Sequence, residues 1–166
     1  MRRETIEKLA VTAVLVACYA LLPAVGYENG DTERLLPHVA YMLCHASVWH
    51  LAGNLFVLWI MRGRMHLLPS LLIGFMASFI PSWSIWGEMG VTMGFSGVIF
   101  AIWGIKWGEY CRYASSMGEI FGRSALHEFT MKALPFAVIG ILIPHINWCI
   151  HLYCMLAGFT YGRVRR

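Results

Sequence analysis

The placement of charge along the chain limits its possible folds more than any other feature. Five stretches contain no Asp, Glu, Lys or Arg: Leu9–Tyr27, Ala40–Met61, Leu67–Gly87, Met89–Ile105 and Ala133–Gly162. A helix needs about 20 mostly apolar residues to cross a hydrocarbon layer of ~30 Å. The last stretch has 30 residues, too many for one upright helix at ~1.5 Å per residue. Pro144-His-Ile-Asn147 lies inside it and supplies a break, because proline clashes with the preceding turn. Splitting it there gives six spans, at about 9–27, 40–61, 67–87, 89–108, 125–143 and 147–162, the fifth taking in Lys132. The expectation is an all-α, polytopic membrane protein: one six-transmembrane-helix bundle formed as a single domain over residues 1–166.

Composition agrees with that expectation. Hydrophobic residues make up 58% of the chain and charged residues 13%, with a mean hydropathy of +0.61. Soluble domains average about 45–50% and about 25%. These values argue against a soluble globular enzyme, a disordered chain and a free nucleic-acid binder. The net charge of +4 reads as a topology signal under the positive-inside rule. Six spans put Arg2, Arg3, Lys8, Arg62, Arg64, Lys106, Arg112, Arg123, Lys132, Arg163, Arg165 and Arg166 on one side and only Arg34 on the other. Both termini are then cytoplasmic, and the compact chain fits a bacterial inner membrane. Arg2–Arg3 and Ala24-Val-Gly26 imitate a signal peptide, but the apolar stretch exceeds the 7–15 residues of a signal core. Cys18, Cys44, Cys111, Cys149 and Cys154 form no CxxC pair and read as small packing residues.

Polar side chains inside a membrane bundle are costly to leave unpaired, so each is a functional candidate. Ser96, in Gly94-Phe-Ser96-Gly97, opens the fourth span. Free backbone N–H groups and the helix dipole favour an anion there, as a serine nucleophile requires when its attack creates an oxyanion. The plainer alternative is a capping serine on a packing face of small residues, namely Gly97, Ala101, Gly104 and Gly108. His151, early in the sixth span, falls at a depth similar to that of Ser96 and can serve as its general base. It shares a helix face with Cys154 and Gly158, extended by Gly162, which allows close helix approach. A core histidine bonded to a carbonyl is the alternative. Phe100, one turn below Ser96, can pack on the imidazole. His50 and Asn54, four residues apart in the second span, share a face and can complete an oxyanion hole with the Ser96 N–H. An interhelical polar clamp is the alternative for that pair. His45 is rotated off that face by ~140° and reads as structural. No Asp or Glu lies in the second or sixth span, so the chemistry points to a Ser–His dyad.

Taken together, these residues resemble the rhomboid intramembrane serine proteases. His45-Ala-Ser-Val-Trp-His50-Leu-Ala-Gly-Asn54 resembles the family's H-x4-H-x3-N helix, Gly94-Phe-Ser96-Gly97 its G-x-S-G, and His151 with Gly158 and Gly162 its last helix. The likeness runs from about His38 to Gly162. It implies a rhomboid-like six-helix core that cleaves membrane-anchored substrates. Ser96 would be the nucleophile and His151 the base. His50 and Asn54 would stabilise the oxyanion, with Gly94 shaping the oxyanion turn. His45, Gly97 and Phe100 would support the site. The departures are Cys154 where the family usually has glycine, a short first outer loop without a Trp-Arg pair, and a basic Met61-Arg-Gly-Arg-Met-His66 where the family has an acidic residue.

The functional expectation is an intramembrane serine endopeptidase acting on transmembrane protein substrates in the lipid bilayer. It would need no metal or cofactor and would bind no nucleic acid. The alternative is a non-proteolytic, client-binding membrane protein of the same family. A haem protein, suggested by seven histidines, leaves Gly94–Gly97 unexplained. A transporter lacks an acidic residue within a span.

Overall fold

The computed structural model describes residues 3–85, 87, 90–113, 134–143 and 146–165. Within them lie seven helices. They are α1 (Arg3–Leu21), α2 (Leu35–Ala40), α3 (Val48–Ile60), α4 (Leu67–Ala77), α5 (Ser96–Tyr113), α6 (Leu134–Leu142) and α7 (Trp148–Val164). The all-α class therefore stands, but the six-transmembrane-helix bundle does not. Among the described residues, no helix is long and apolar enough to cross a membrane.

The uncharged runs are not continuous helices. The run 40–61 stays irregular until Ser47 caps α3 by accepting a hydrogen bond from the His50 N–H. The run 67–87 leaves its helix at Ser78, and the run 89–105 enters one only at Ser96. At ~1.5 Å per residue, α3, α4 and α7 reach about 20, 17 and 26 Å, short of ~30 Å. The two longest helices carry charge: Arg3, Glu4, Glu7 and Lys8 in α1, and Lys106, Glu109 and Arg112 in α5. A multi-pass membrane location with cytoplasmic termini is thereby corrected, as are a lipid bilayer and transmembrane proteins as partners. Residues 125–133 of the expected fifth span, and Pro144 of the expected break, lie outside the described residues.

Helix contacts place the elements between two poles. Helices α3, α5 and α7 begin near one pole and end near the other, whereas α4 runs the opposite way. At the far pole His66, which precedes α4 with a left-handed φ of 46°, meets Glu109 at 3.1 Å and Arg165 at 3.0 Å. Buried Lys8 of α1 reaches the carbonyls of Trp59 and Met61 at the end of α3. The core between the poles includes Leu15, Tyr41, Leu58, Met61, Val98 and Ile102.

Among the described helices, α5 and α7 pair most closely. Helix backbones meet where side chains are missing. A Cβ at Gly158 would collide with the Ala101 carbonyl, and one at Gly162 with the Ile105 carbonyl. From the other side, Gly104 faces the Met155 carbonyl and Gly108 the Phe159 carbonyl. Residue numbers rise together along the contact, so the two helices run parallel and start at the same level. Gly158→Ala should lower stability by about 1–3 kcal/mol, the usual range for overpacking. Gly53→Ala in α3, where nothing lies within 4 Å, should be neutral or stabilising by up to about 1 kcal/mol. Chemical denaturation of the two variants alongside the parent tests the contrast.

Candidate functional site

Because α5 and α7 start level, their first turns face each other. Ser96 is the first residue of α5 and His151 lies in the first turn of α7. The Ser96 hydroxyl and His151 Nε2 are 2.8 Å apart, a hydrogen-bond distance. Phe100, one turn below Ser96, stacks on the imidazole with centroids 4.5 Å apart and an interplanar angle of 11°. His151 is 8% exposed. Its Nδ1 is buried and makes no hydrogen bond among the described residues, so no carboxylate of the described residues orients the ring there. On that side the ring faces Gly140 of α6, where a Cβ would come within 3.2 Å of Nδ1.

Ser96 and His151 line a cavity of about 490 Å³. His50 and Asn54 line it together with Ser96 and His151. The Asn54 amide donates to the His50 carbonyl at 3.2 Å, which leaves its second N–H for another acceptor. Gly94 holds a φ of +123°, which suits glycine. A Cβ at Gly94 would lie 2.6 Å from the His50 ring and 3.6 Å from Asn54 Nδ2. The Gly94 N–H itself donates to the Tyr41 carbonyl at 2.7 Å. Gly94 thus makes room for the donors and does not offer its own N–H. In the first turn of α5 the Ile99 N–H donates to the Phe95 carbonyl at 3.1 Å, whereas the Ser96, Gly97 and Val98 N–H groups come too early in the helix for an intrahelical acceptor. His45 stands behind the turn, where its Nε2 accepts from the Phe95 N–H at 3.4 Å. Gly97 faces Cys154 Sγ, 3.4 Å from where its Cβ would be. Trp49, Val57, Ile99, Trp103 and Phe136 make most of the remaining wall apolar.

All eight site residues singled out from the sequence therefore lie in or against one region. Sequence reading missed Thr92 and Asn147, which also line the cavity. Asn147 caps α7 by accepting from the Ile150 N–H at 3.2 Å and donates to Thr92 Oγ1 at 2.9 Å. An Asn just before an apolar helical run is a recognisable cap signal; nothing marks Thr92. Glu88 lies outside the described residues. Among the described residues, no three His, Cys, Asp or Glu side chains gather to hold a metal ion.

A model of the Rhomboid domain matches residues 32–166, and the chain belongs to that family. Comparison with curated proteins and with solved structures gave no match. Family membership does not by itself carry an activity. The intramembrane serine endopeptidase expected from the sequence is corrected here, as is its client-binding membrane alternative. Both require helices that cross a bilayer, and no described helix is long and apolar enough.

Burial, and second to it the nearby His50, push the His151 imidazole down to about 4. His45 is pushed down to about 4 in the same way, by burial first and His50 second. Both rings are therefore neutral at pH 7, and neutral His151 can accept a proton. An unfolded histidine titrates near 6.5, so between about 6.5 and 4 the unfolded chain binds more protons than the folded one. Stability should fall as pH drops through that window, by at most about 1.4 kcal/mol per pH unit for each ring. Urea unfolding at pH 7, 6 and 5 measures this fall, and His151→Gln should make it shallower.

Proposed function

We propose that Ser96 and His151 form a serine acyl-transfer site that opens carboxylic-acid derivatives carrying an apolar acyl group. The observation that carries this reading is the 2.8 Å contact between Ser96 Oγ and His151 Nε2 at the start of two parallel helices. Ser96 Oγ attacks the carbonyl carbon while its proton moves to His151 Nε2. The developing oxyanion is met by the first-turn N–H groups of α5, by Asn54 and by His50. The tetrahedral intermediate collapses, the leaving group takes the proton from His151, and the acyl group stays on Ser96. Water, deprotonated by His151, then releases the acid and regenerates the serine. Phe100 holds the imidazole plane in place of a third polar partner. The apolar wall of Ile99, Trp103 and Phe136 suits an apolar acyl chain, and its low polarity strengthens the oxyanion donors.

The experiment is covalent labelling with a fluorophosphonate probe, the adduct located by mass spectrometry. The parent protein should carry one adduct, on Ser96. Ser96→Ala should carry none, and His151→Ala should label several hundred-fold more slowly or not at all. Asn54→Ala should acylate about 10²–10³ times more slowly, the usual cost of removing one oxyanion donor. Equal labelling of the parent and Ser96→Ala would overturn the reading.

A further inference from the structure

We propose that the hydrogen bond from the Asn147 amide to the Thr92 hydroxyl is a positioning contact that, within the helix register set by the glycines of α5 and α7, holds Ser96 and His151 at reacting distance. The proposal rests on the acyl-transfer reading of that pair and adds two residues that do not touch the reacting atoms. Thr92 lies four residues before Ser96 on the segment leading into α5. Asn147 lies four residues before His151 at the start of α7. One 2.9 Å hydrogen bond, between side chains that are 5% and 7% exposed, joins the two approaches.

The choice of residue at position 147 supports a role beyond capping. A helix N-cap needs only an acceptor, which Ser, Thr and Asp also supply. Here the amide oxygen does that work for the Ile150 N–H, while the amide nitrogen donates to Thr92 and, at 3.5 Å, to the Tyr27 hydroxyl. Of the favoured caps, only Asn brings N–H donors and an acceptor in one uncharged group.

Thr92 is held from its other side as well. Its backbone pairs with Tyr27 in both directions, at 2.9 and 3.1 Å. A Cβ at Gly26 would collide with the Thr92 carbonyl, so the two segments close fully only with glycine there. Downstream, the Gly94 and Phe95 N–H groups are bound to the Tyr41 carbonyl and to His45. The segment between Thr92 and Ser96 is therefore pinned along its length. On the other helix a single turn transmits any shift of Asn147 to His151. Misplacement by about 1 Å is enough to cost about 10²-fold in rate.

The test uses the full chain as Thr92→Val, which removes the hydroxyl while keeping the shape, Thr92→Ser, which keeps the hydroxyl, and Asn147→Ser, which keeps the cap but is too short to reach Thr92. At saturating fluorophosphonate, Thr92→Val and Asn147→Ser should label Ser96 about 10- to 100-fold more slowly, at an unchanged half-saturating probe concentration. Thr92→Ser should stay within about twofold of the parent. Asn29→Ala breaks a different clasp, the paired bonds between Asn29 and the Ser82 backbone. It should lose stability yet label at the parental rate.

Parental labelling of Thr92→Val, or equal slowing in Thr92→Ser, would overturn the proposal. A second readout needs no catalysis: the imidazole nitrogen resonances of His151 in histidine-labelled protein. They should move in Thr92→Val and Asn147→Ser and stay put in Thr92→Ser. If the parent does not label but these resonances behave as stated, the acyl-transfer reading fails and the positioning role stands. If the parent labels and the resonances do not move, the positioning role fails alone. Should Thr92→Val not fold, Asn147→Ser decides by both readouts.

Discussion

The site depends on the contact between α5 and α7, and that contact depends on missing side chains. Gly104 and Gly108 on one helix, and Gly158 and Gly162 on the other, sit where any Cβ would strike the opposing backbone. Close-packed interiors tolerate little excess volume, so these positions fix both the separation of the helices and their register. Register matters for chemistry because the two helices are parallel. Sliding one by a turn, about 5.4 Å, would separate Ser96 from His151 entirely. The 2.8 Å contact between them is the end reading of a ruler laid down by glycines two to three turns away.

With the helices set, the proposed pair of Ser96 and His151 calls for an orienting partner, and the described residues supply one without a carboxylate. Stacking on Phe100 at 4.5 Å and close packing against Gly140 restrict the imidazole on a face and an edge. Both contacts are apolar, and burial keeps the ring neutral. An anionic third partner would do the reverse, since an opposite charge nearby favours the protonated ring. In the proposed acyl transfer the imidazole is therefore weakly basic and acts through proximity. The demand on placement grows accordingly, which is why contacts such as Asn147 to Thr92 carry weight.

The candidate site was more legible in the sequence than the fold. The spacing of His50 and Asn54, and of His151, Gly158 and Gly162, encodes helix faces. Faces survive whatever the helix lengths turn out to be. Helix ends were not legible in the same way, because freedom from charge reports apolar composition and not backbone continuity. Residues 78–85 lack charge yet are not helical. There the Ser82 N–H and carbonyl pair with Asn29, and Tyr153 donates to the Pro81 carbonyl. Such partners are dozens of residues away and leave no local signature. Thr92 escaped for the same reason: its partners, Tyr27 and Asn147, are 65 and 55 residues distant.

The lopsided placement of basic residues, a topology signal in sequence alone, has another physical account within the fold. Helices α3, α5 and α7 all end near the pole that carries Lys8, Lys106 and Arg163. Lys8 donates to the Trp59 and Met61 carbonyls, Lys106 to the Arg62 carbonyl and Arg163 to the Cys111 carbonyl. These acceptors are the last carbonyls of α3 and α5 or lie just beyond α3. Helix C-termini carry partial negative charge and unsatisfied carbonyls, which favour cations. The same three dipoles point their positive ends at the opposite pole, where α5 begins at Ser96 and α7 begins just before His151. Cations at one end and, in the proposed acyl transfer, a developing oxyanion at the other would be complementary uses of one alignment. That alignment is also what the glycine contact between α5 and α7 enforces.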